Sequence, residues 1–313
     1  MKLIGLLTIP GGLLCKKDVL GQRFIGTISG CNVSLIFPSL SDSSREEIID
    51  RVGMSNSLIA PPNGATLTLG GEKIFWGYPL KAPEMNSFVN YVTLEVDFNE
   101  PDSDELAQIL YTTVQEWTYS FKRFLQLLTH QHLERKAKVS NPGNNLQLLC
   151  NGKYIQNHQP QVLYGQFYAD SRFASYEEIM QAIDFASSGK ELFLEYQMLL
   201  SAYNARRSGE NRQAIIDACS AAEICLVNWI GFYCSQKGLA PDILTEKYKS
   251  LWDRFNLVKK LDDNSPAFDF GNVIVKPRND VAHNRNTYPT NECTDKLIEM
   301  VEKYLAHYHT SYY

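Results

Sequence analysis

The chain has 313 residues, 44% hydrophobic and 21% charged, which excludes general disorder and leaves room for two domains or one large one. Formal net charge is −5, with Lys plus Arg against Asp plus Glu at 14 against 16 over residues 1–170 and 16 against 19 over 171–313. That balance excludes a broad basic surface for nucleic acid, so any contact with RNA has to rest on a local positive patch.

The opening "MKLIGLLTIPGGLLC" superficially resembles a signal peptide or a lipid-anchor cysteine. A single lysine, the Pro-Gly-Gly break and the bulky Leu14 before Cys15 all fit poorly, so a first strand and turn is expected instead. "ATLTLGGEKIFWGY" predicts a hairpin around Gly70-Gly71, its aromatics filling a sheet core. In "YVTLEVDF", Val92, Leu94, Val96 and Phe98 fall on one strand face and Thr93, Glu95 and Asp97 on the other.

A long helix follows. Asp102 and Glu105 have capping-box spacing, and Leu106, Ile109, Leu110, Val114, Trp117, Phe121, Leu125 and Leu128 form the stripe expected to cover a sheet. "LQLLCNGKYIQ" predicts a second hairpin, because Asn151-Gly152 favours a type I′ turn. From about Ser175 the hydrophobic period becomes helical. Ser175 and Glu178 again have capping-box spacing, and Gly189 separates two helices.

The helix starting near Asn211 is apolar on two sides. One stripe is Ile215, Ala218, Ala222, Cys225, Trp229 and Phe232; the other is Ile216, Cys219, Glu223, Leu226, Ile230 and Tyr233. Such a helix belongs at the centre of a bundle. Further helices are expected at about 243–261 and at 291–309, the latter with Leu297, Val301, Tyr304, Leu305 and Tyr308 inward. The fold class expected is α+β: a β-rich domain with one long helix over residues 1–170, then an all-α bundle over 171–313.

No run of about 18 apolar residues stands out, so no membrane span is expected. The seven cysteines (15, 31, 150, 219, 225, 234 and 293) include no CxxC pair, and read as buried thiols of a reducing, cytoplasmic compartment. His130/His132 and His307/His309 resemble metal pairs, but residues two apart on a helix diverge by about 200°, and no metal or cofactor is expected. "NPGNN" and "LGGEK" are glycine turns that lack a phosphate loop's lysine-serine continuation.

Between the last two helices lies "KPRNDVAHNR", residues 276–285. Proline suits a helix's first position, and a start at Pro277 sets Arg278, Asn279 and Asp280 beside free N–H groups that attract a phosphate. Asn279 and His283 share a face four residues apart, and Asp280 and His283 are three apart. Arg278 lies about 140° around from His283 and must reach round with its long side chain. These residue types suit metal-free RNA cleavage. An imidazole moves protons near neutrality, a guanidinium holds phosphate in two hydrogen bonds, and an amide orients either. The same residues also make an ordinary solvated helix start.

Arg278-Asn279-Asp280-Val281-Ala282-His283 resembles the R-x(4–6)-H signature of HEPN domains. "RRSGENRQAIIDACSAAEICLVNWI" and "KYKSLWDRFNLVKKL" resemble the second and third helices of the Apea-like branch, so the resemblance covers about residues 175–313. It implies a helical bundle that dimerises across the motif helices into a metal-independent ribonuclease, such as a toxin or an abortive-infection effector against phage. Arg278 and His283 would then be the catalytic pair, with Asn279 in support and Asp280 beside them. Implied partners are an RNA substrate, a second copy of the chain, and a trigger or inhibitor acting on the first domain. The alternative implied is a non-catalytic HEPN dimer that binds nucleotides or RNA, or serves as a scaffold. Glu223 interrupts an apolar stripe and needs a partner, and the expectation is an ion pair with Arg278 or a contact orienting His283. The other outcome is a wet stripe edge that leaves Glu223 exposed.

Overall fold

The computed structural model describes residues 1–39, 68–69, 72–73, 77–79, 87–98, 103–133, 146–155, 171–285 and 288–309. It divides into two compact units, Met1–Glu191 and Leu192–Tyr313. The first is an antiparallel sheet with helices, and the second is helical among its described residues. The chain is therefore α+β.

The sheet of the first unit runs β2 (Arg23–Ile28), β3 (Cys31–Ile36), β7 (Ser87–Asp97), β1 (Lys2–Cys15), β8 (Leu146–Cys150), β9 (Lys153–Tyr154), with β6 (Gly77–Pro79) also paired to β7. The opening segment is thus a strand, β1, at the centre of the sheet. The expected turn at its Pro-Gly-Gly is instead an irregularity. Pairing of β1 with β7 shifts register between Thr8 and Leu13, and Gly12 takes φ +71° where a Cβ would meet the Phe88 ring. Val92, Leu94, Val96 and Phe98 are buried as expected, but Thr93 on the other face is buried too.

The hairpin of β8 and β9 turns at Asn151 (φ 51°) and Gly152 (φ 75°), the two positive angles a type I′ turn requires. β4 (Thr68–Leu69) pairs with β5 (Glu72–Lys73) as the other hairpin reading implies. Its Gly70-Gly71 turn, Phe75, Trp76 and the "NPGNN" segment lie outside the described residues.

Helix α1 (Asp104–Thr129) is capped by Ser103, whose hydroxyl accepts from the Leu106 N–H, so the cap is one residue later than the Asp102/Glu105 spacing suggests; Asp102 is outside the described residues. Its buried stripe is also turned slightly. Ala107, Tyr111, Val114, Trp117, Phe121 and Leu125 are buried, whereas Ile109 is 59% exposed. The polar positions Thr118, Lys122 and Gln126 are buried as well, which no apolar pattern signals.

Helix α2 (Tyr176–Ser187) starts with the expected capping box: Glu178 N–H donates to Ser175 Oγ, and Ser175 N–H donates to the Glu178 carboxylate at 2.9 Å. It packs on α1 and β2, where Gly26 has Ile183 and Ser187 so close that a Cβ would lie 2.6 Å from each. The expected division at 170/171 would have put α2 in the helical unit. The contacts assign it to the first, because its apolar face (Ile179, Ala182, Ile183, Ala186) joins the core of the sheet. Gly189, at φ 65°, ends that helix as expected.

In the second unit α4 (Asn211–Gln236) packs against α3 (Leu194–Arg207), α5 (Pro241–Lys247), α6 (Leu251–Leu261), α7 (Lys276–Ala282) and α8 (Asn291–His309). Its central place follows from two apolar sides, of which Ile216 remains 39% exposed. By length and composition α4 could cross a membrane, contrary to the sequence expectation, but 56% of its apolar window is buried by neighbouring helices. The expected helix at 243–261 is two helices, because Ser250 caps α6 through the Asp253 N–H at 3.1 Å and breaks the run. All five inward positions of α8 are buried. All seven cysteines are free thiols.

Two glycines separate close approach from turn strain. A Cβ on Gly5 would sit 1.8 Å from the Gln147 carbonyl oxygen, whereas Gly30 (φ +81°) has nothing within 4 Å. Gly5→Ala is expected to cost about 3 kcal/mol or more and Gly30→Ala about 1, read from urea unfolding followed by far-UV circular dichroism.

Candidate functional site

The motif helix does not start at Pro277. Its helical backbone runs on from a π-helical turn at Gly271–Val275, where the Lys276 N–H donates to the Gly271 carbonyl five residues back. Val275 is itself α-helical and gives no side-chain cap. Pro277 has no N–H to offer an α-ladder, and here it follows a turn in which that ladder is already shifted. Arg278, Asn279 and Asp280 therefore continue a helical run rather than open one. The expected cradle of free N–H groups for a phosphate is overturned.

What the motif occupies is a helix end. His283 is the C-cap of α7, Asn284 takes the left-handed conformation at φ 55°, the Arg285 N–H donates to the Asp280 carbonyl at 2.7 Å and the Asn284 N–H to the Val281 carbonyl at 3.2 Å. This is a Schellman closure with asparagine where glycine is usual. The negative end of the helix dipole thus lies at His283, which favours a cation there.

Of the expected site residues, Arg278 and His283 are exposed, and Asn279 and Asp280 are half-buried. Arg278 Nη1 donates to Asn279 Oδ1 at 3.3 Å, and the His283 backbone N–H donates to the Asn279 carbonyl at 3.0 Å. No hydrogen bond joins the Arg278 and His283 side chains among the described residues. Asn279 and Asp280 instead line an open cleft of about 370 Å³ with Trp252, Gly271, Val275, Lys276 and Arg285. His283 follows one helical turn beyond them.

Glu223 is not part of this group. Its carboxylate pairs with the Arg254 guanidinium, which also donates to the Tyr248 carbonyl at 2.9 Å. It holds α6 to α4 rather than pairing with Arg278 or orienting His283. The residue the sequence reading missed is Arg212, in the first turn of α4. Its Nη2 donates to the Val281 carbonyl at 3.2 Å and to Asn284 Oδ1 at 2.8 Å, so it closes the end of α7. Asn211 does the same for the next segment, with Nδ2 donating to the Pro289 carbonyl at 2.9 Å and to Asn291 Oδ1 at 2.8 Å. The available signal was Asn284 itself, a residue that tolerates the left-handed region and follows the last periodic position.

Cys219 lies under the same helix, its thiol 3.9 Å from the Ile274 carbonyl. Burial pushes that thiol up to about 12, against the opposing pull of the Arg278 charge, so it stays protonated and packs as a small apolar group. The paired histidines serve elsewhere. His130 is the left-handed residue ending α1, His307 lies 3.6 Å from Asp262, and His309 Nδ1 lies 3.2 Å from Glu195. Among the described residues no three His, Cys, Asp or Glu side chains converge as metal ligands. No protein-family model matches this chain, and no curated protein or solved structure matches it.

Arg212→Ala removes both bonds that close α7. It is expected to cost about 1–2 kcal/mol and to speed amide exchange across residues 278–285, while the amides of the first unit keep wild-type rates. Hydrogen-exchange mass spectrometry on the full chain checks both.

Proposed function

We propose that the chain is a HEPN-type, metal-independent ribonuclease, an RNA-cutting toxin or anti-phage effector whose active site is shared between two copies. The observation that carries the reading is the exposure of Arg278 and His283 at the end of a surface helix, beside an open cleft lined by Asn279 and Asp280. The His283 side chain has no hydrogen-bond or ion-pair partner among the described residues, so beyond the pull of the helix end on a cation its imidazole is unengaged and open to solvent.

In the proposed reaction the ribose 2′-oxygen attacks phosphorus and the bond to the 5′-oxygen breaks, leaving a 2′,3′-cyclic phosphate and a 5′-hydroxyl. One imidazole takes the 2′-hydroxyl proton and a protonated one gives a proton to the departing 5′-oxygen. A single histidine cannot do both in one step, and a two-fold pairing of motif helices supplies the second. Arg278 meets the charge that grows on the phosphoryl oxygens, and Asn279 steadies its guanidinium. The reaction needs only side-chain proton transfer and charge. The first unit would then be the part that answers a trigger or inhibitor, in a cytoplasmic protein.

A second reading, a non-catalytic dimer that binds nucleotides or RNA, draws on the missing N–H cradle at the start of the motif helix. Cleavage of total RNA and tRNA in EDTA separates the two. Wild type is expected to cut, and His283→Ala to lose at least about 100-fold in rate while its melting curve and oligomeric state stay unchanged. Cleavage that survives the substitution moves the site away from this motif. Absence of cleavage by wild type favours the binding module.

A further inference from the structure

The cleft beside the motif has a wall that the proposed cleavage chemistry does not use. Trp252, near the start of α6, is 43% exposed, although it is among the largest apolar side chains of the unit. Its indole stacks on Phe255 (centroids 5.6 Å apart, planes at 24°), and Phe255 stacks on the buried Phe270 (4.1 Å, 8°). Trp252 is thus the outer plate of an aromatic column that runs into the core. The ring lies close against Gly271, where a Cβ would come within 3.1–3.2 Å of the indole and be tighter than an ordinary contact.

The remaining wall is polar and unspent. Asp280 has no side-chain hydrogen bond or ion pair among the described residues. Asn279 uses its oxygen for Arg278, which leaves its Nδ2 hydrogens free to donate. Lys276 and Arg285 add two exposed cations to the same cleft. The nearby carboxylates are already engaged, Asp253 with Ser250 Oγ at 2.6 Å and Asp269 with Asn272 Nδ2 at 3.1 Å. The cleft therefore offers an aromatic plate, one carboxylate acceptor, one amide donor and two positive charges.

We propose that this cleft is a base-recognition subsite that takes a guanine nucleotide of the RNA strand, with the base stacked on Trp252. Aromatic plates accept any base, so the choice among bases comes from the polar wall. Guanine presents two adjacent donors, N1–H and N2–H, which a carboxylate accepts together, with O6 next to them to accept from an amide. Asp280 and Asn279 match that pattern. Adenine and cytosine would turn a ring-nitrogen acceptor toward the carboxylate, and uracil has a single donor flanked by two carbonyls. Lys276 and Arg285 answer the phosphate. His283, one turn further along, would then face the linkage adjoining the bound guanosine. The proposal rests on the RNA reading above and adds to it a substrate preference.

The test is calorimetric titration of the full-length His283→Ala protein with 5′-GMP, 5′-AMP, 5′-CMP and 5′-UMP, so that binding is read apart from cleavage. GMP is expected to bind at least about tenfold more tightly than the other three. Trp252→Ala in the same background should weaken GMP by about tenfold or more, and Trp252→Phe should restore most of it. Asp280→Asn should erase the preference among bases. Equal binding of all four nucleotides, binding of none, or undiminished GMP binding by the Trp252→Ala variant overturns the subsite. If GMP binds through Trp252 while wild type cuts no RNA, the subsite stands and the nuclease reading falls. If wild type and Trp252→Ala cut RNA at the same linkages, the nuclease reading stands and the subsite falls.

Discussion

The second unit is organised by the need to bury one helix that has almost no polar side. Along α4, Ala214, Ile215, Ala218, Cys219, Ala221, Ala222, Cys225, Leu226, Trp229, Ile230 and Cys234 are buried, and they do not fall on a single stripe. No single neighbour can cover such a surface, so helices must surround it. The alanines let them come close. Among the described residues the other five α-helices of the unit all contact α4, including the one that carries the motif, and Ile274 and Val281 are buried in the turns before and within α7. Burial of two apolar side chains on one face leaves the opposite face of that short helix in solvent. Arg278 is not on that opposite face: it lies three residues before Val281, about 60° around the helix, so its stem starts beside the buried edge and its long side chain reaches solvent.

The charge logic of the site changes once the motif is seen at a helix end. A helix start offers N–H groups and a positive dipole, and needs little help to hold a phosphate. A helix end offers carbonyls and a negative dipole, and repels one. Cations must then hold any anion brought there, and this stretch of surface has Lys276, Arg278 and Arg285 in exposed positions. That density is local. The chain as a whole carries −5, so a nucleic acid would gain little attraction from a distance, and its binding would depend on short-range contacts such as the proposed stacked base and paired edge.

Much of the architecture was legible because its signals are local. Asn151-Gly152 specifies its turn by backbone preference alone, Ser175 and Glu178 cap each other across three residues, and the α8 stripe needs only periodicity. What was not legible depends on partners distant in sequence. Pro277 reads as a helix start until the π turn before it is known, and π turns have no compositional mark. Glu223 has two arginines within reach of a bundle's geometry, and pattern alone does not say that Arg254 rather than Arg278 is the neighbour. Arg212 and Asn284 are 72 residues apart, so the bond that closes the motif helix could not be read from either end. The candidate residues stand out in the sequence because they cluster within ten positions, and the phosphate cradle expected of them fails because the helix does not begin where proline suggests.

An apolar helix surrounded by helices has a register problem: alanines and cysteines tolerate rotation and sliding at little cost, whereas polar pairs do not. On α4 the polar groups are few and spread along its length. Arg212 bonds the end of α7, Asp217 accepts from Ser201 Oγ of α3 at 2.7 Å and from Gln213, and Glu223 pairs with Arg254 of α6. Each meets a different neighbour. Asp217 is only 8% exposed, so rotating it away from Ser201 leaves a buried carboxylate short of a partner, a penalty of several times the thermal energy. Three such constraints on three sides define both the rotation of α4 and the height at which each neighbour docks. The motif's geometry is therefore set by hydrophobic burial, which decides that α7 lies on α4, together with polar pairing, which decides where. A change that keeps every apolar contact but loses these pairs would leave a bundle that is still folded, with Arg278, Asn279 and His283 no longer held in one arrangement.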